Sequence, residues 1–339
     1  MRSNRQFDDY DDEYEALAEQ FDPTQTDRRA RRKRKPKAQH TPKKAAAALV
    51  EELSDEMIGL EGGFETSYRP SKHEAGWLLQ SLRAFYDQSL ITDVLALVKG
   101  GKEASVYRCA AHESTGEALL AAKVYRPRMF RQLSNDAQYR KGRGLLSSDG
   151  HDAQGHKRRI ANALRAKSAF GQQIKHTSWL MHEVLAMQKL HAAGAAVPNV
   201  LAASQNAVLM DYVGDEQMAA PTLSEVQLET DEAQQLFKQV MYNIERLLEY
   251  GWVHGDLSAY NILYWQGEIV LIDFPQVVDL HRNDSSRSIL ERDVTRVCEY
   301  FERFGVHSRP KKITHDLWDR YVYLRPADLL ADLSRLEEE

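Results

Sequence analysis

Four residues close together in the chain are of types that do chemistry in concert: His254, Asp256, Asn261 and Asp273. The stretches Ile262 to Trp265 and Glu268 to Ile272 are rich in β-branched and aromatic residues and flank Gln266-Gly267, which predicts two short strands joined by a tight turn. A hairpin returns its second strand to where the first began, so Asn261, just before it, and Asp273, just after it, come to lie side by side. Asp256, five residues before Asn261, sits on the loop leading into the same mouth. Three oxygen-bearing side chains gathered there suit a hard cation that keeps several waters and bridges phosphate oxygens, which is the chemistry of Mg²⁺.

Other segments must supply the groups that meet a phosphate. Val98 to Tyr107 reads as a strand, a turn at Gly100-Gly101 and a returning strand. Glycines let the backbone approach a ligand closely, and Lys102 and the Ser105 hydroxyl are placed to meet phosphate oxygens. A third strand, Ala118 to Tyr125, carries Lys123 among apolar neighbours, where a charge is costly unless paired. A helix from about 177 to 193 holds a single carboxylate, Glu183, flanked by Leu180, Val184, Leu185 and Met187, and this predicts a Lys123–Glu183 ion pair.

The pattern H-x-D-x-x-x-x-N followed by I-D-F resembles the catalytic and metal-binding loops of the protein-kinase-like superfamily. That resemblance implies an α+β, two-lobed fold, with a small antiparallel sheet plus helix in the N-lobe and a reduced, mainly helical C-lobe. It also implies that Ala207 to Gly214 is a strand running into the hinge. Backbone groups of Asp211 and Val213 would then meet an adenine edge, with Met210 at the back of the pocket. A helix from about Asp231 to Tyr250, with Leu236, Val240, Ile244 and Leu247 at helical spacing, leads into the loop of Asp256.

The remaining chain sets bounds on what surrounds this unit. A length of 339 residues allows about two structural units plus tails, and the formal charge of −5 is too mild to specify a partner. Cys109 and Cys298, the only cysteines, are too few for a disulfide framework, which favours a reducing compartment and a cytoplasmic location. No apolar run approaches the ~20 residues of a membrane span. Residues 1–45 form an acidic block followed by a basic one, Arg28 to Lys37, and blocks of like charge predict a disordered tail. The basic block reads equally as an arm for RNA or another polyanion and as a solubilising tail. Residues 46–90 form a helical lead-in, and the helix-like pattern runs on to Leu97. From Arg126 to His176 a long connection holds twelve Lys or Arg against Asp136, Asp149 and Asp152, a basic insert near the phosphate site.

Together these motifs resemble the RIO family of atypical serine/threonine protein kinases over roughly residues 90–305. The marks are G-K-E-A-S-V-Y at 101–107, the basic insert between Lys123 and Glu183, H-G-D-L-S-A-Y-N-I-L-Y at 254–264 and I-D-F-P-Q at 272–276. The D-L-S wording and the insert are similar to the type-1 branch, and I-D-F-P-Q to the type-2 branch. The resemblance implies ATP and Mg²⁺ as cofactors, Asp256 as the catalytic aspartate, and Asn261 and Asp273 as metal ligands. Lys123 would hold the phosphates with Glu183 as its support, and Asp273 would be a proposed phospho-acceptor. Asp293 reads equally as a brace for the catalytic loop and as a member of a surface salt bridge. The short run from Phe274 to a helix near Ser285 leaves no room for a long activation segment. The expected activity is Mg-ATP-dependent phosphoryl transfer to a protein hydroxyl or to the chain itself, or an ATPase switch in ribosome-related assembly. Two other classes share parts of this pattern: a small-molecule kinase of the aminoglycoside or choline type, and a non-catalytic RNA-binding scaffold using residues 28–37 and 126–176.

Overall fold

A computed structural model of the chain describes residues 64, 66–101, 103–126 and 169–323. The charged tail at 1–45, residues 46–63 and 65 of the lead-in, Lys102 and residues 127–168 of the basic insert lie outside the described residues, as does 324–339.

The first lobe is a five-stranded antiparallel sheet in the order β1-β2-β3-β5-β4, formed by β1 (Ile91–Gly100), β2 (Ala104–Ala111), β3 (Leu119–Tyr125), β4 (Val200–Ala203) and β5 (Ala207–Asp211). Strand alternation gives the sheet two apolar faces. Tyr107, Cys109, Leu120, Ala122 and Leu209 meet helix α1 (Lys72–Asp87) through its Leu78, Leu82 and Phe85. The Glu74 carboxylate of α1 closes a capping box with Ser71 and accepts the Tyr107 hydroxyl, which ties the helix to β2. The other face, with Ala121 and Tyr125, packs on Leu180, Val184, Met187 and Leu190 of helix α2 (Ala169–Ala192). The helix-like reading beyond residue 90 is corrected here: Ile91 and Val94 are buried in the sheet, and β1 absorbs irregular pairing with β2 through several register shifts.

The second core continues without a break into the mainly helical lobe. Helix α3 (Thr230–Glu249) buries Leu236, Val240, Ile244 and Leu247 at the spacing read from the sequence. After it come β6 (Trp252–Val253), the hairpin β7 (Ile262–Trp265) and β8 (Glu268–Leu271), then β9 (Val278–Asp279), α4 (Ser286–Glu302) and α5 (Pro310–Trp318). The hairpin pairs Ile262 with Leu271 and Trp265 with Glu268, and its turn places Gln266 and Gly267 at φ 51° and 86°. Two consecutive positive φ values are what a two-residue turn needs to match the strands' twist. The expected α+β, two-lobed arrangement is therefore present. Among the described residues no helix is long and apolar enough to cross a membrane.

Candidate active site

The hairpin delivers its two ends to one place. Ile272 N–H donates to the Asn261 carbonyl at 3.0 Å, so Asp273 follows directly beside Asn261. Asn261 is fixed by its own amide nitrogen, which donates to the Asp256 carbonyl at 2.8 Å, with Asp256 Oδ2 at 3.4 Å. With Nδ2 spent on the loop, the amide oxygen is the group left to face a ligand. Asp273 adopts φ 71°, the left-handed region, which aspartate tolerates better than most side chains.

From the sheet above, Lys123 reaches down to this mouth. Its Nζ lies 2.6 Å from Glu183 Oε1 on α2 and 2.7 Å from Asp273 Oδ1. Glu183 is 1% exposed, and its second oxygen accepts the Tyr125 hydroxyl, so both oxygens are committed. Burial works to lower the Lys123 pKa, but the charges of Asp273 and Glu183 outweigh it and hold the ammonium well above its ordinary value. Burial likewise opposes ionisation of Asp273, and the adjacent Lys123 ammonium overcomes it, leaving the carboxyl below the usual range. The Asp273 side chain is still 43% accessible, so one part of it sits in the charge cluster while another faces the mouth.

The loop between β6 and β7 is braced from below. Gly255 N–H donates to Asp293 Oδ2 at 2.8 Å, and Arg292 donates to the Gly255 carbonyl. Gly255 has φ 87°, and a Cβ there would collide with the backbone carbonyl of Gln276, so glycine is required on both counts. Burial pushes the Asp293 carboxyl pKa up, against the pull of His254, Arg292 and the Gly255 N–H. His254 is 2% exposed; Nδ1 accepts the Asp256 N–H at 3.3 Å, which makes Nε2 the donor to the Ile272 carbonyl at 3.1 Å. That histidine joins the loop to the hairpin rather than serving as a base.

Other candidate residues lie differently. Ser105 is 2% exposed and, by strand alternation, shares the α1 face of β2 with Tyr107, whereas Val106 pairs with Lys123 on the mouth face. Its hydroxyl is therefore turned away from Lys123, which corrects the expectation that it meets phosphate. Gly101 does carry the tight turn: its N–H donates to the Ala104 carbonyl at 2.9 Å, and a Cβ would lie 2.6 Å from that oxygen. Met210 is 8% exposed at the end of β5. The Asp211 N–H is committed to the Asn199 carbonyl at 3.0 Å and the Val213 carbonyl accepts from Ala220 at 2.9 Å, while no described residue accepts the Val213 N–H. Two residues were not singled out by sequence reasoning. Tyr125 shares a strand face with Lys123 two residues earlier, a signal that was available; Arg296, whose Nη1 lies 2.8 Å from Asp256 Oδ1, is placed by the docking of α4 and had none.

No group of three His, Cys, Asp or Glu side chains among the described residues forms a closed metal cage. One accessible carboxylate, Asp273, beside one amide oxygen, Asn261, instead fits a divalent cation that takes its other ligands from phosphates and water.

Comparison with known proteins bears on family and fold. A family model described as the RIO domain matches residues 151–314. RIO-type serine/threonine-protein kinase Rio1 of Haloferax volcanii is 31% identical over 214 residues, 61% of this chain and 63% of that protein. The corresponding Rio1 of Thermoplasma acidophilum is 30% identical over 135 residues, 40% of this chain and 69% of that protein. The chain belongs to the RIO family. A crystal structure of the Rio2 kinase-ADP/Mg²⁺-phosphoaspartate complex from Chaetomium thermophilum superposes with a TM-score of 0.50 at 19% identity, covering 86% of this chain and 85% of that one. That likeness shows a shared fold, the RIO form of the two-lobed kinase architecture. Across the curated RIO relatives the match takes in less than two thirds of several, such as the 63% of the Haloferax volcanii protein.

Two outcomes follow for this RIO chain. Lys123→Met leaves Glu183 buried without its cation, and should cost about 3–5 kcal/mol of unfolding free energy by urea titration. Because the folded pKa of Asp273 is depressed, its contribution to stability is present above the ordinary Asp range and is lost as pH falls through the folded value. Wild type should therefore lose more stability between about pH 5 and about pH 2 than Asp273→Asn does, read from thermal midpoints across that window.

Proposed function

We propose that the chain is a Mg-ATP-dependent serine/threonine kinase of the RIO type. The observation that carries this reading is the bridge made by Lys123 Nζ between Glu183 and Asp273, directly above the mouth where Asn261 and Asp256 sit. Phosphoryl transfer asks little covalent chemistry of a protein; it needs positioning and charge stabilisation. In this reading Lys123 steadies the α- and β-phosphates, and Glu183 with Tyr125 keeps its ammonium aimed. The backbone turn at Gly101 comes close to the triphosphate with no side chain in the way. Met210 and the Val213 N–H meet the adenine. Asp256 accepts the proton of the attacking hydroxyl. A bound Mg²⁺, held by Asn261 and Asp273, would neutralise charge on the triphosphate.

Asp273 itself is a second acceptor under this proposal, because its carboxylate is accessible at the mouth and the related Rio2 structure contains phosphoaspartate. Turnover through such a step would suit an ATPase switch in ribosome-related assembly, with RNA or a ribosomal particle met by residues 28–37 and 126–176.

Purified protein incubated with γ-labelled ATP and Mg²⁺ should release phosphate or become labelled. Asp256→Ala and Asp273→Ala should each lower that signal by at least about a hundredfold. Acid-stable label identifies hydroxyl transfer and acid-labile label an aspartyl phosphate. Full activity in both variants, or none in wild type, would overturn the assignment.

A further inference from the structure

Helix α4 meets the loop of Asp256 with three side chains. Arg292 donates to the Gly255 carbonyl, Asp293 accepts the Gly255 N–H at 2.8 Å, and Arg296, one turn further on, sets Nη1 2.8 Å from Asp256 Oδ1. Arg292 and Asp293 hold backbone, and Asp293 does so from a site 2% exposed. Arg296 holds a side chain instead. The two side chains of its ion pair are 42% and 47% exposed, and a pair that open contributes little to stability. Its consequence is chemical, because it draws on the carboxylate oxygen that an acceptor hydroxyl needs. The other oxygen already has the Asn261 amide at 3.4 Å. A hydroxyl that is to hand its proton to Asp256 Oδ1 therefore competes with the guanidinium, whose positive charge also lowers the basicity of that oxygen until the arginine moves off it.

We propose that Arg296 determines acceptor specificity: it selects hydroxyls flanked by a carboxylate or phosphate, and that anion draws the guanidinium off Asp256 as the hydroxyl moves onto it. The inference rests on the kinase reading above. The planar guanidinium fork binds such an anion through two parallel hydrogen bonds, a geometry the single contact to Asp256 does not use. In the transfer, the hydroxyl proton goes to Asp256 Oδ1 and the hydroxyl oxygen bonds to the γ-phosphorus. The bond from that phosphorus to its bridging oxygen breaks, and ADP leaves. A neutral acceptor meets an Asp256 carboxylate still paired with the arginine and offers the guanidinium no other partner.

The test compares two synthetic serine peptides, alike except that one carries aspartates and the other alanines around the serine. It uses the full chain as wild type, Arg296→Gln and Arg296→Lys, with ATP and Mg²⁺. Wild type should favour the acidic peptide in kcat/KM by about threefold to fivefold, the span an exposed charge pair supports, and added salt should erode the preference. Arg296→Gln should bring the ratio to about one, partly by improving use of the alanine peptide, and Arg296→Lys should restore part of the preference. A purely structural role would lower both peptides together and leave the ratio unchanged. Equal ratios in wild type and Arg296→Gln, or use of neither peptide by a wild type that turns over ATP, would overturn the inference. A wild type that turns over no ATP overturns the kinase reading itself.

Discussion

A buried ammonium is tolerated only where its charge is met, and in this chain the requirement is satisfied from both lobes at once. Lys123 on the sheet takes Glu183 from α2, within its own lobe, and Asp273 from the hairpin of the other. Glu183 in turn is filled by Tyr125. Removing Lys123 leaves the buried Glu183 without its cation and Asp273 without its ion pair, so the positions of sheet, helix and hairpin are mutually dependent. The cluster also sets the electrostatics of the mouth, since it keeps Lys123 protonated and Asp273 ionised together.

Below that cluster the arrangement depends on backbone geometry more than on charge. The hairpin carries Asn261 and Asp273 to one end because its turn accepts two positive φ values at Gln266 and Gly267. The loop of Asp256 passes close to Gln276 because Gly255 has no side chain, and Asp293 and Arg292 satisfy the polar groups of that glycine. His254 completes the connection by bonding the loop to Ile272. Rigid support of this kind holds Asp256, Asn261 and Asp273 in register with one another.

Much of this was legible because it is local. The hairpin, the helical repeat of Leu236, Val240, Ile244 and Leu247, and the lone carboxylate Glu183 on an apolar helix all follow from periodicity or turn chemistry. The resemblance of the G-K-E-A-S-V-Y, H-G-D and I-D-F-P-Q segments to the RIO family carried the roles. What failed did so for identifiable reasons. Ser105 was read by its hydroxyl, and strand alternation put that hydroxyl on the face opposite Lys123. The start of β1 was read as helix because bulges blur a two-residue period. Arg296 could not be found at all, since only the angle at which α4 docks brings it to Asp256.

On the proposed function, Asp273, held by Lys123 at the hairpin end, couples nucleotide to a divalent cation. Calorimetric titration of ATP into wild type and Asp273→Asn, each with and without Mg²⁺, tests it most directly. Mg²⁺ should tighten ATP binding to wild type by at least about tenfold and leave the variant nearly indifferent. The same Mg²⁺ dependence in both proteins would contradict it.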